Sequence, residues 1–221
     1  MDAVEADRTR ALGLVNVSRE TLARLDGFVA LLLNWQATTN LVGRSTLETL
    51  WTRHIADSLQ LIELTPDSRV WVDLGSGAGF PGIPIACALT AVPGAAVHLV
   101  ESNAKKAAFL REAARITGAP VAVHPVRIEK FVVDGFQGTA DVVTARAVAS
   151  LKDLLNECFM LLQHGAIGIF PKGQDVAVEL TEASKYWNIA YDLVPSRTDL
   201  KARIVVVRSL TRRKWAHDAG A

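Results

Sequence analysis

The stretch that decides the fold is residues 70–84, V-W-V-D-L-G-S-G-A-G-F-P-G-I-P. Its first three residues are β-branched or aromatic, which favours a β-strand. Asp73 follows, and Gly75, Gly77 and Gly79 then stand at alternate positions, where glycine permits positive φ and a close approach of the backbone to a ligand. Two prolines come next, and proline suits the first turn of a helix. A strand, a glycine turn and a helix start are how an open α/β sheet builds a ligand crevice at its carboxyl edge.

The spacing of the glycines separates two classes of cofactor turn. Dinucleotide-binding folds use G-x-G-x-x-G, in which backbone amides and a helix N-terminus bind a pyrophosphate. This chain has D-x-G-x-G-x-G at 73–79, an order that resembles motif I of the S-adenosylmethionine (SAM) methyltransferases. The alternative is a sharp strand-to-helix corner with no ligand. We predict that Asp73, Gly75, Gly77 and Gly79 contribute to a SAM site.

Composition limits the class of protein. The chain has 221 residues, half of them hydrophobic, and a net charge of +1. This length suits one α/β domain with an extension, and the small net charge means that nucleic acid would have to bind a local basic patch. The two cysteines lack the spacing of a zinc or disulfide framework. With no signal-peptide pattern at the start and no membrane-length apolar run, we expect a soluble, cytoplasmic, metal-free protein.

The alternation of strand and helix patterns predicts the architecture. Strands are predicted at 70–72, 97–100, 121–123, 142–145, 166–170 and 204–207, with helical patterns between most of them. This alternation is typical of an α/β fold with a doubly wound, largely parallel sheet, here of the Rossmann-like class I methyltransferase type with an N-terminal helical extension. We predict two units: residues 1–66 as a leader and helices packed on the sheet, and 67–221 as the methyltransferase domain.

The N-terminal extension is predicted to hold two helices after a loose leader at 1–17. Ser18 is a plausible N-cap for the first helix, whose apolar stripe ends near Trp35. Ser45 and Glu48 have the spacing of a capping box for the second helix. These two helices are expected to cover one side of the sheet.

The second helix carries R-H-I-A-D-S at 53–58. His54 and Ser58 fall on its apolar stripe, so they point inward. They are either a hydrogen-bonded polar pair in the core or part of the wall of the cofactor crevice. Asp57 either fixes Arg53 at helical spacing or is solvated.

Glu101 ends the second predicted strand, 26 positions after Gly75. A carboxylate at the carboxyl end of the neighbouring strand can accept both hydroxyls of an adenosine ribose. The alternative is that Glu101 helps to cap the helix that follows Ser102 and Asn103. We predict the ribose role.

Several basic residues are candidates for contacts with RNA phosphates. Lys105 and Lys106 stand in the first turn of a helix, where positive charge opposes the helix dipole. The other candidates lie in the last quarter of the chain, with Trp215 among them: Arg197, Lys201, Arg203, Arg212, Arg213 and Lys214. Basic segments with an interleaved aromatic residue can bind a polyanion, although the alternative for each of these residues is a solvated surface side chain.

Seven motifs together resemble one bacterial family, the 16S rRNA guanine-N7 methyltransferases known as RsmG or GidB. They are N-L-V at 40–42, R-H-I-A-D-S-L at 53–59, D-L-G-S-G-A-G-F-P-G-I-P at 73–84, L-V-E-S-N-A-K-K-A-A-F-L at 99–110, R-I-E at 127–129, T-A-R-A at 144–147 and P-K-G at 171–173. The resemblance covers most of the chain, roughly 40–172. One departure is Val42, where the common family pattern has threonine, so any role for a hydroxyl there is in doubt.

The resemblance implies a substrate and a set of cofactor contacts. The family transfers a methyl group from SAM to N7 of a guanosine in the 530 loop of 16S rRNA (position 527 in the standard rRNA numbering). Its partner would be 16S rRNA or the small ribosomal subunit, assembled or assembling, and we expect a monomer. The SAM contacts of the family carry over to Gly75, Phe80, Ile128, Glu129 and Arg146.

The residues agree with this chemistry. The position of the N-P-P-Y-like motif of exocyclic-amine methyltransferases holds T-A-R-A, and neither cysteine is placed as a loop nucleophile. Guanine N7 needs neither device, because its lone pair is exposed and no proton leaves when it attacks. We therefore predict no general base and assign substrate positioning to Arg146, Lys172 and His54. A small-molecule or protein methyltransferase, a nicotinamide-dependent oxidoreductase and a SAM-sensing module are the alternatives.

Overall fold

A seven-stranded sheet organises the described part of the chain. The computed structural model describes residues 3–213 except 135 and 137. The strands are β1 (Val70–Leu74), β2 (Ala96–Val100), β3 (Val121–His124), β4 (Val142–Thr144), β5 (Ile167–Lys172), β6 (Trp187–Pro195) and β7 (Arg203–Arg212). They follow the spatial order β3-β2-β1-β4-β5-β7-β6. The first five strands run parallel, and β7 is antiparallel to both β5 and β6. The prediction of a largely parallel, doubly wound sheet is confirmed.

All six predicted strands are present, and β6 is an addition to them. Its apolar residues alternate from Trp187 to Leu193, a pattern of period two that indicates a strand. It lies at the edge of the sheet and pairs with β7 alone. Most of its residues are at least partly exposed, as expected for an edge strand.

Helices cover both faces of the sheet. They are α1 (Ala3–Leu12), α2 (Arg19–Gln36), α3 (Asp57–Leu59), α4 (Gly82–Leu89), α5 (Ala104–Thr117), α6 (Ile128–Asp134), α7 (Leu151–Glu157), α8 (Phe159–Gln163) and α9 (Val176–Ala183). Ser18 caps α2 by accepting the Thr21 N–H, and Asn103 caps α5 in the same way. Gly118 ends α5 with a φ of 58°, a left-handed conformation that glycine adopts without strain.

The prediction of a loose leader at 1–17 is wrong, because part of this segment is the anchored helix α1. The buried carboxylate of Asp7 accepts both the backbone N–H and the hydroxyl of Thr52, at 3.1 and 2.6 Å. Arg8 pairs with Asp26 of α2 and lies over the Trp51 ring. A mixed-charge sequence with a weak apolar stripe gave no sign of these partners.

The predicted capping box of the second helix is also wrong. Its region contains a 3-10 turn, Arg44–Thr46, which begins without a side-chain cap, and a π-helical segment, Trp51–Ala56, that leads into α3. The Thr49 N–H bonds to the Thr46 carbonyl and the Thr52 N–H to Asp7, so neither makes the α-helical bond to the carbonyl four residues earlier. Single-turn π segments of this kind often occur at functional sites.

The N-terminal helices share an apolar layer with one face of the sheet. Leu25, Phe28 and Leu32 of α2 belong to the same buried cluster as Trp71 and Leu99. The other face carries a second cluster under α6 to α9. The predicted covering of one side by the N-terminal helices is therefore present, while the domain boundary between 66 and 67 stays a prediction. Within the described ranges, no helix combines the length and apolar character needed to cross a membrane.

Candidate active site

The glycine turn lies at the carboxyl end of β1 and leads into α4. Gly75, Gly77 and Gly79 have φ values of 67°, 57° and 88°, which side-chain-bearing residues rarely adopt. A Cβ on Gly75 would come within 2.6 Å of Val148, in the loop after β4. The preceding Ala147 also has a positive φ, 55°. The two loops that follow β1 and β4 therefore pack directly on each other.

Asp73 supports this turn from below. The side chain is completely buried, and its Oδ2 accepts the N–H of Gly82 at 3.1 Å. Its other oxygen has no hydrogen-bond partner among the described residues. Burial raises the pKa of Asp73 to about 7. A Cβ on Gly82 would lie 2.2 Å from Leu99 and 2.8 Å from the Asp73 carboxylate, so this close approach requires glycine.

Glu101 joins the glycine turn to the start of α5. Its Oε2 accepts the Gly77 N–H at 2.9 Å, and its Oε1 accepts the Asn103 N–H at 2.7 Å. The side chain is nearly buried at the carboxyl end of β2. The capping alternative thus describes a contact that exists, since Glu101 shapes the entry into α5, while the ribose role stays a prediction.

Arg146, His54 and Phe80 form a stacked cluster beside the glycine turn. Phe80, which follows the last glycine of the turn, packs against the His54 ring with centroids 4.9 Å apart. The Arg146 guanidinium lies over the same Phe80 ring, 5.3 Å from its centroid. Arg146 Nη2 donates to His54 Nδ1 at 2.8 Å, and its Nη1 donates to the Arg53 carbonyl at 3.1 Å. The two predicted positioning residues, Arg146 and His54, are therefore in direct contact.

The contacts of His54 define its protonation state. Arg146 can only donate, so His54 Nδ1 must accept, and the ring proton of neutral histidine stays on Nε2. Nε2 lies 3.0 Å from the Thr46 hydroxyl, which donates onward to the Gly43 carbonyl. Burial, with the nearby positive charges of Arg146 and Arg53, lowers the pKa of His54 to about 3. At neutral pH the histidine is uncharged and both ring nitrogens are engaged.

Asp57 connects this cluster to a loop far along the chain. It accepts the Thr198 hydroxyl at 2.6 Å and lies 3.5 Å from Arg146 Nη1. Gln60 completes the link by donating to Asp57 and accepting the backbone N–H of Arg197. The alternatives considered for Asp57, a pair with Arg53 or a solvated position, were both wrong. Ser58, as predicted, is buried, and its hydroxyl donates to the His54 carbonyl.

Lys172 lies at the end of β5, on the same edge of the sheet. Its ammonium donates to Glu179 of α9 at 2.8 Å and to the Ala149 carbonyl at 3.1 Å. Glu179 also accepts the Leu151 N–H at 2.7 Å. Lys172 therefore ties the loop after β4 to α9, which a sequence pattern did not indicate.

A cleft of about 840 Å³ opens at the carboxyl ends of β4 and β5 and at the start of β7. His54, Arg146 and Lys172 all line it, with Arg53 and Asp57. The residues of the glycine turn and Glu101 do not line this cleft. The structure thus places the predicted cofactor turn and the predicted positioning residues side by side, with the Phe80–Arg146 contact between them.

The remaining predicted residues are dispersed. Ile128 and Glu129 begin α6, the first half-buried and the second exposed. Lys105 is exposed and Lys106 half-buried at the start of α5. Lys201 and Arg203 line the cleft, whereas Arg197 is paired with Glu63.

Arg212 and Arg213, the last described basic residues, do not line the cleft. Because β7 is antiparallel to β5 and starts opposite Lys172, its last residues lie at the amino edge of the sheet. There Arg212 lies over the rings of Phe159 and Trp187, and Arg213 follows it. Lys214 and Trp215 lie outside the described residues.

Three contributors to the cluster were missed from the sequence: Thr46, Gln60 and Thr198. Thr198 is 141 residues from its partner Asp57, and no local pattern marks it. Thr46 was hidden inside the segment assigned to the capping box. The motif R-H-I-A-D-S did signal the importance of its own residues, including Arg53.

Comparison with known proteins identifies the family. The family model described as rRNA small subunit methyltransferase G, GidB, matches residues 21–204. The chain belongs to this family. A member named ribosomal RNA small subunit methyltransferase G from Bradyrhizobium sp. (strain BTAi1) is 56% identical over 209 residues, covering 95% of this chain and 94% of that protein. The protein of the same name from Methylorubrum populi is 54% identical over 205 residues, covering 93% and 96%.

Solved structures resemble this family member in fold. The cofactor-bound protein Rv0187 from MTB has a TM-score of 0.62 at 14% identity, covering 94% of this chain and 98% of that one. A mutant of MtNAS in complex with S-adenosylmethionine has a TM-score of 0.52 at 20% identity, covering 84% and 74%. These likenesses confirm the predicted SAM-methyltransferase type of fold.

Proposed function

We propose that this protein is a SAM-dependent methyltransferase that modifies N7 of a guanosine in the 530 loop of 16S rRNA. The observation that carries the proposal is the position of Arg146. Its guanidinium lies over Phe80 of the glycine turn and also lines the basic cleft, so one residue connects the cofactor turn with the space available to a substrate. Membership of the rRNA small subunit methyltransferase G family supports the rRNA substrate.

The residues around the glycine turn fit SAM. A carboxylate has about four lone-pair sites, and the described residues use one on each oxygen of Glu101. One site on each oxygen remains for the two ribose hydroxyls. The backbone of the turn adopts left-handed conformations that bring it close to a neighbouring group without a Cβ between them. When bound, SAM would supply an activated methyl group. Its sulfonium sulfur would be released as a neutral thioether.

Arg146 is suited to bind the guanine. The Hoogsteen edge of guanine presents N7 and O6 as acceptors, and arginine is the usual donor to this edge. Arginine has five N–H hydrogens; Arg146 uses two on Nη1 and one on Nη2. Nε–H and one Nη2 hydrogen remain available among the described contacts. Donation to O6 would orient the base and leave the N7 lone pair directed at the methyl group.

Lys172 and His54 serve the same site by positioning. Lys172 holds the loop that contains Arg146 and Val148 through its contact with the Ala149 carbonyl. His54 accepts from Arg146 and so fixes the plane of the guanidinium. Its nitrogens are both engaged and its pKa is about 3, so it is not poised to remove a proton. This agrees with a reaction at N7, which releases no proton and gains chiefly from positioning, by on the order of 7–11 kcal/mol.

The proposed reaction requires no metal, because SAM itself provides the leaving group. An rRNA substrate implies that the enzyme works in the cytoplasm. We propose that it acts as a monomer, and that residues 67–221 form the catalytic unit with 1–66 as its supporting extension. Ile128 and Glu129, at the start of α6, are proposed to meet the adenine of SAM.

The direct test is methyl transfer from labelled SAM to small ribosomal subunits that lack native modification. After digestion, the labelled nucleoside is identified and its position in 16S rRNA is mapped. We expect N7-methylguanosine at one site in the 530 loop. Label at another guanosine or another atom would refute the proposed specificity. Tight SAM binding without labelled rRNA, under several assembly states and salt concentrations, would move the substrate to another class of molecule.

A further inference from the structure

Three exposed cations lie around the cleft without a carboxylate partner in the described part of the chain. They are Arg10 of α1, Arg53 of the π-helical segment and Lys201 of the loop before β7, and all three line the cleft. Other cations of the same cleft are already engaged: Lys172 by Glu179, and Arg203 by two backbone carbonyls. We call Arg10, Arg53 and Lys201 the cationic rim.

The acids of the cleft do not neutralise this rim. Six cationic and three acidic side chains line the cleft, although the whole chain carries a net charge of only +1. Asp57 is taken by Thr198 and Arg146, and Glu179 by Lys172 and the Leu151 N–H. The third acid, Asp199, accepts the backbone N–H of Lys201. The positive charge of the cleft is therefore concentrated at the cationic rim.

Arg53 and Arg146, which both line the cleft, repel each other. The charge of Arg53 contributes to lowering the pKa of both Arg146 and His54. An anion bound between these groups would relieve the repulsion, because opposite charge within about 4–6 Å stabilises the cationic form.

The backbone that carries Arg10 and Arg53 is held in place by buried contacts. Asp7, three residues before Arg10, binds the backbone of Thr52, the residue that precedes Arg53. Arg8 anchors the same helix to α2 and lies over Trp51. These contacts place Arg10 and Arg53 on the same wall of the cleft. Helix α1 thus contributes a positive charge to the site.

We propose that the cationic rim binds backbone phosphates on either side of the target guanosine, while the base enters the cleft beside Arg146. This inference rests on the proposed rRNA substrate. Phosphate contacts fix the register of a nucleic acid without reading its sequence. A strand held at three points of the rim would present a single unstacked nucleotide to the cleft, as recognition of RNA loops requires.

The test measures the salt dependence of RNA binding. Full-length Arg10→Gln, Arg53→Gln and Lys201→Gln variants, and the triple variant, are titrated with unmodified small ribosomal subunits at several KCl concentrations. For a single strand, each lost phosphate contact should make the slope of log Kobs against log salt shallower by about 0.7. We expect this shift for each single variant and about three times as much for the triple variant. SAM affinity by calorimetry should stay within about twofold of the wild type, since the rim does not touch the glycine turn.

Arg69→Gln is the matched control. Arg69 is exposed, has no described side-chain partner and precedes β1, at the opposite edge of the sheet. Its salt slope should equal that of the wild type. Rim variants with wild-type slopes would overturn the proposal, and so would a control variant that shifts as much as they do.

Methyl transfer measured in the same samples separates the two proposals. If the wild type binds subunits but transfers no methyl group, the proposed function fails, and the rim is still judged by the binding slopes. If the wild type binds no subunits under any salt, both proposals fail. Loss of transfer by the triple variant at high salt, with recovery at low salt, is the expected result.

Discussion

The two halves of the carboxyl edge are built by different kinds of contact. Around the glycine turn, the hydrogen bonds to Asp73 and Glu101 connect residues 2 to 24 positions apart in sequence. Around the cleft, Arg146 contacts His54 and Asp57 across 92 and 89 positions, and Asp57 contacts Thr198 across 141. The cofactor half is thus held by contacts between residues close in sequence. The substrate half is held by contacts between three segments that are far apart in sequence.

The largest effect is expected from Arg146→Ala, which acts on the substrate half. Loss of a charged hydrogen bond to guanine costs roughly 1.5–3 kcal/mol, so we expect kcat/KM for subunits to fall about 10- to 100-fold. SAM affinity should fall less, because the SAM contact that the family resemblance implies for Arg146 is one of several around the glycine turn. Both quantities are measured on the same protein, by single-turnover transfer and by calorimetry.

Arg146→Lys is the informative companion. Lysine keeps the charge but lacks the planar fork that serves His54 and the substrate together, so most of the loss should remain. Equal losses of SAM affinity and transfer would contradict this assignment and place Arg146 in the cofactor half.

The same contrast explains what the sequence could predict. The acid and glycines of 73–79, Glu101 and the strands around them follow from local spacing, and their positions were predicted. The partners of Asp57 were not predicted. Its contacts with Thr198 and Arg146 depend on how the segments around β4 and β7 pack against the N-terminal segment. Helix α1 was missed for the same reason, since its fixed position depends on Asp7 reaching Thr52.

A second prediction concerns the cofactor half, where one added methyl group would overfill the packing. Gly82→Ala would place a Cβ 2.2 Å from Leu99 and 2.8 Å from the Asp73 carboxylate. Overpacking of this kind typically costs about 1–3 kcal/mol, and we expect about 2 kcal/mol in the free energy of unfolding, measured with urea.

The control is Gly27→Ala, on the exposed side of α2, where no atom lies within 4 Å of the added Cβ. Alanine in a helix should stabilise the protein by about 0.4–1 kcal/mol. If Gly82→Ala behaved like Gly27→Ala, the close contact between Asp73 and the start of α4 would not be essential.

A third prediction concerns the cofactor directly. Glu101→Ala should weaken SAM binding about tenfold or more, because hydrogen bonds to a charged group contribute roughly 1.5–3 kcal/mol. Glu101→Gln keeps one acceptor and should lose less. Calorimetry that shows unchanged affinity for the alanine variant would remove Glu101 from the ribose role and leave it as a support for Gly77 and Asn103.

The last prediction is a pH dependence of stability that has opposite signs in the two halves. The pKa of His54 is lowered from 6.5 to about 3, so the unfolded chain takes up a proton that the folded protein excludes. Its stabilisation is complete above pH 6.5 and is lost as the pH falls towards 3. The pKa of Asp73 is raised from 3.8 to about 7. Its contribution is complete below pH 3.8 and is lost as the pH rises towards 7.

Urea unfolding of the wild type and two variants between pH 4 and 8 separates these contributions. His54→Asn retains an acceptor that can reach Arg146 but no longer titrates, so stability should fall less steeply on the acid side. Asp73→Asn should instead remove the loss between about pH 4 and 7. If both variants followed the wild-type curve, neither group would have the shifted pKa that its burial implies. If His54→Asn also retained more methyl transfer than His54→Gln, the essential feature of His54 would be the acceptor that it offers to Arg146. His54 would then act on the substrate only through Arg146.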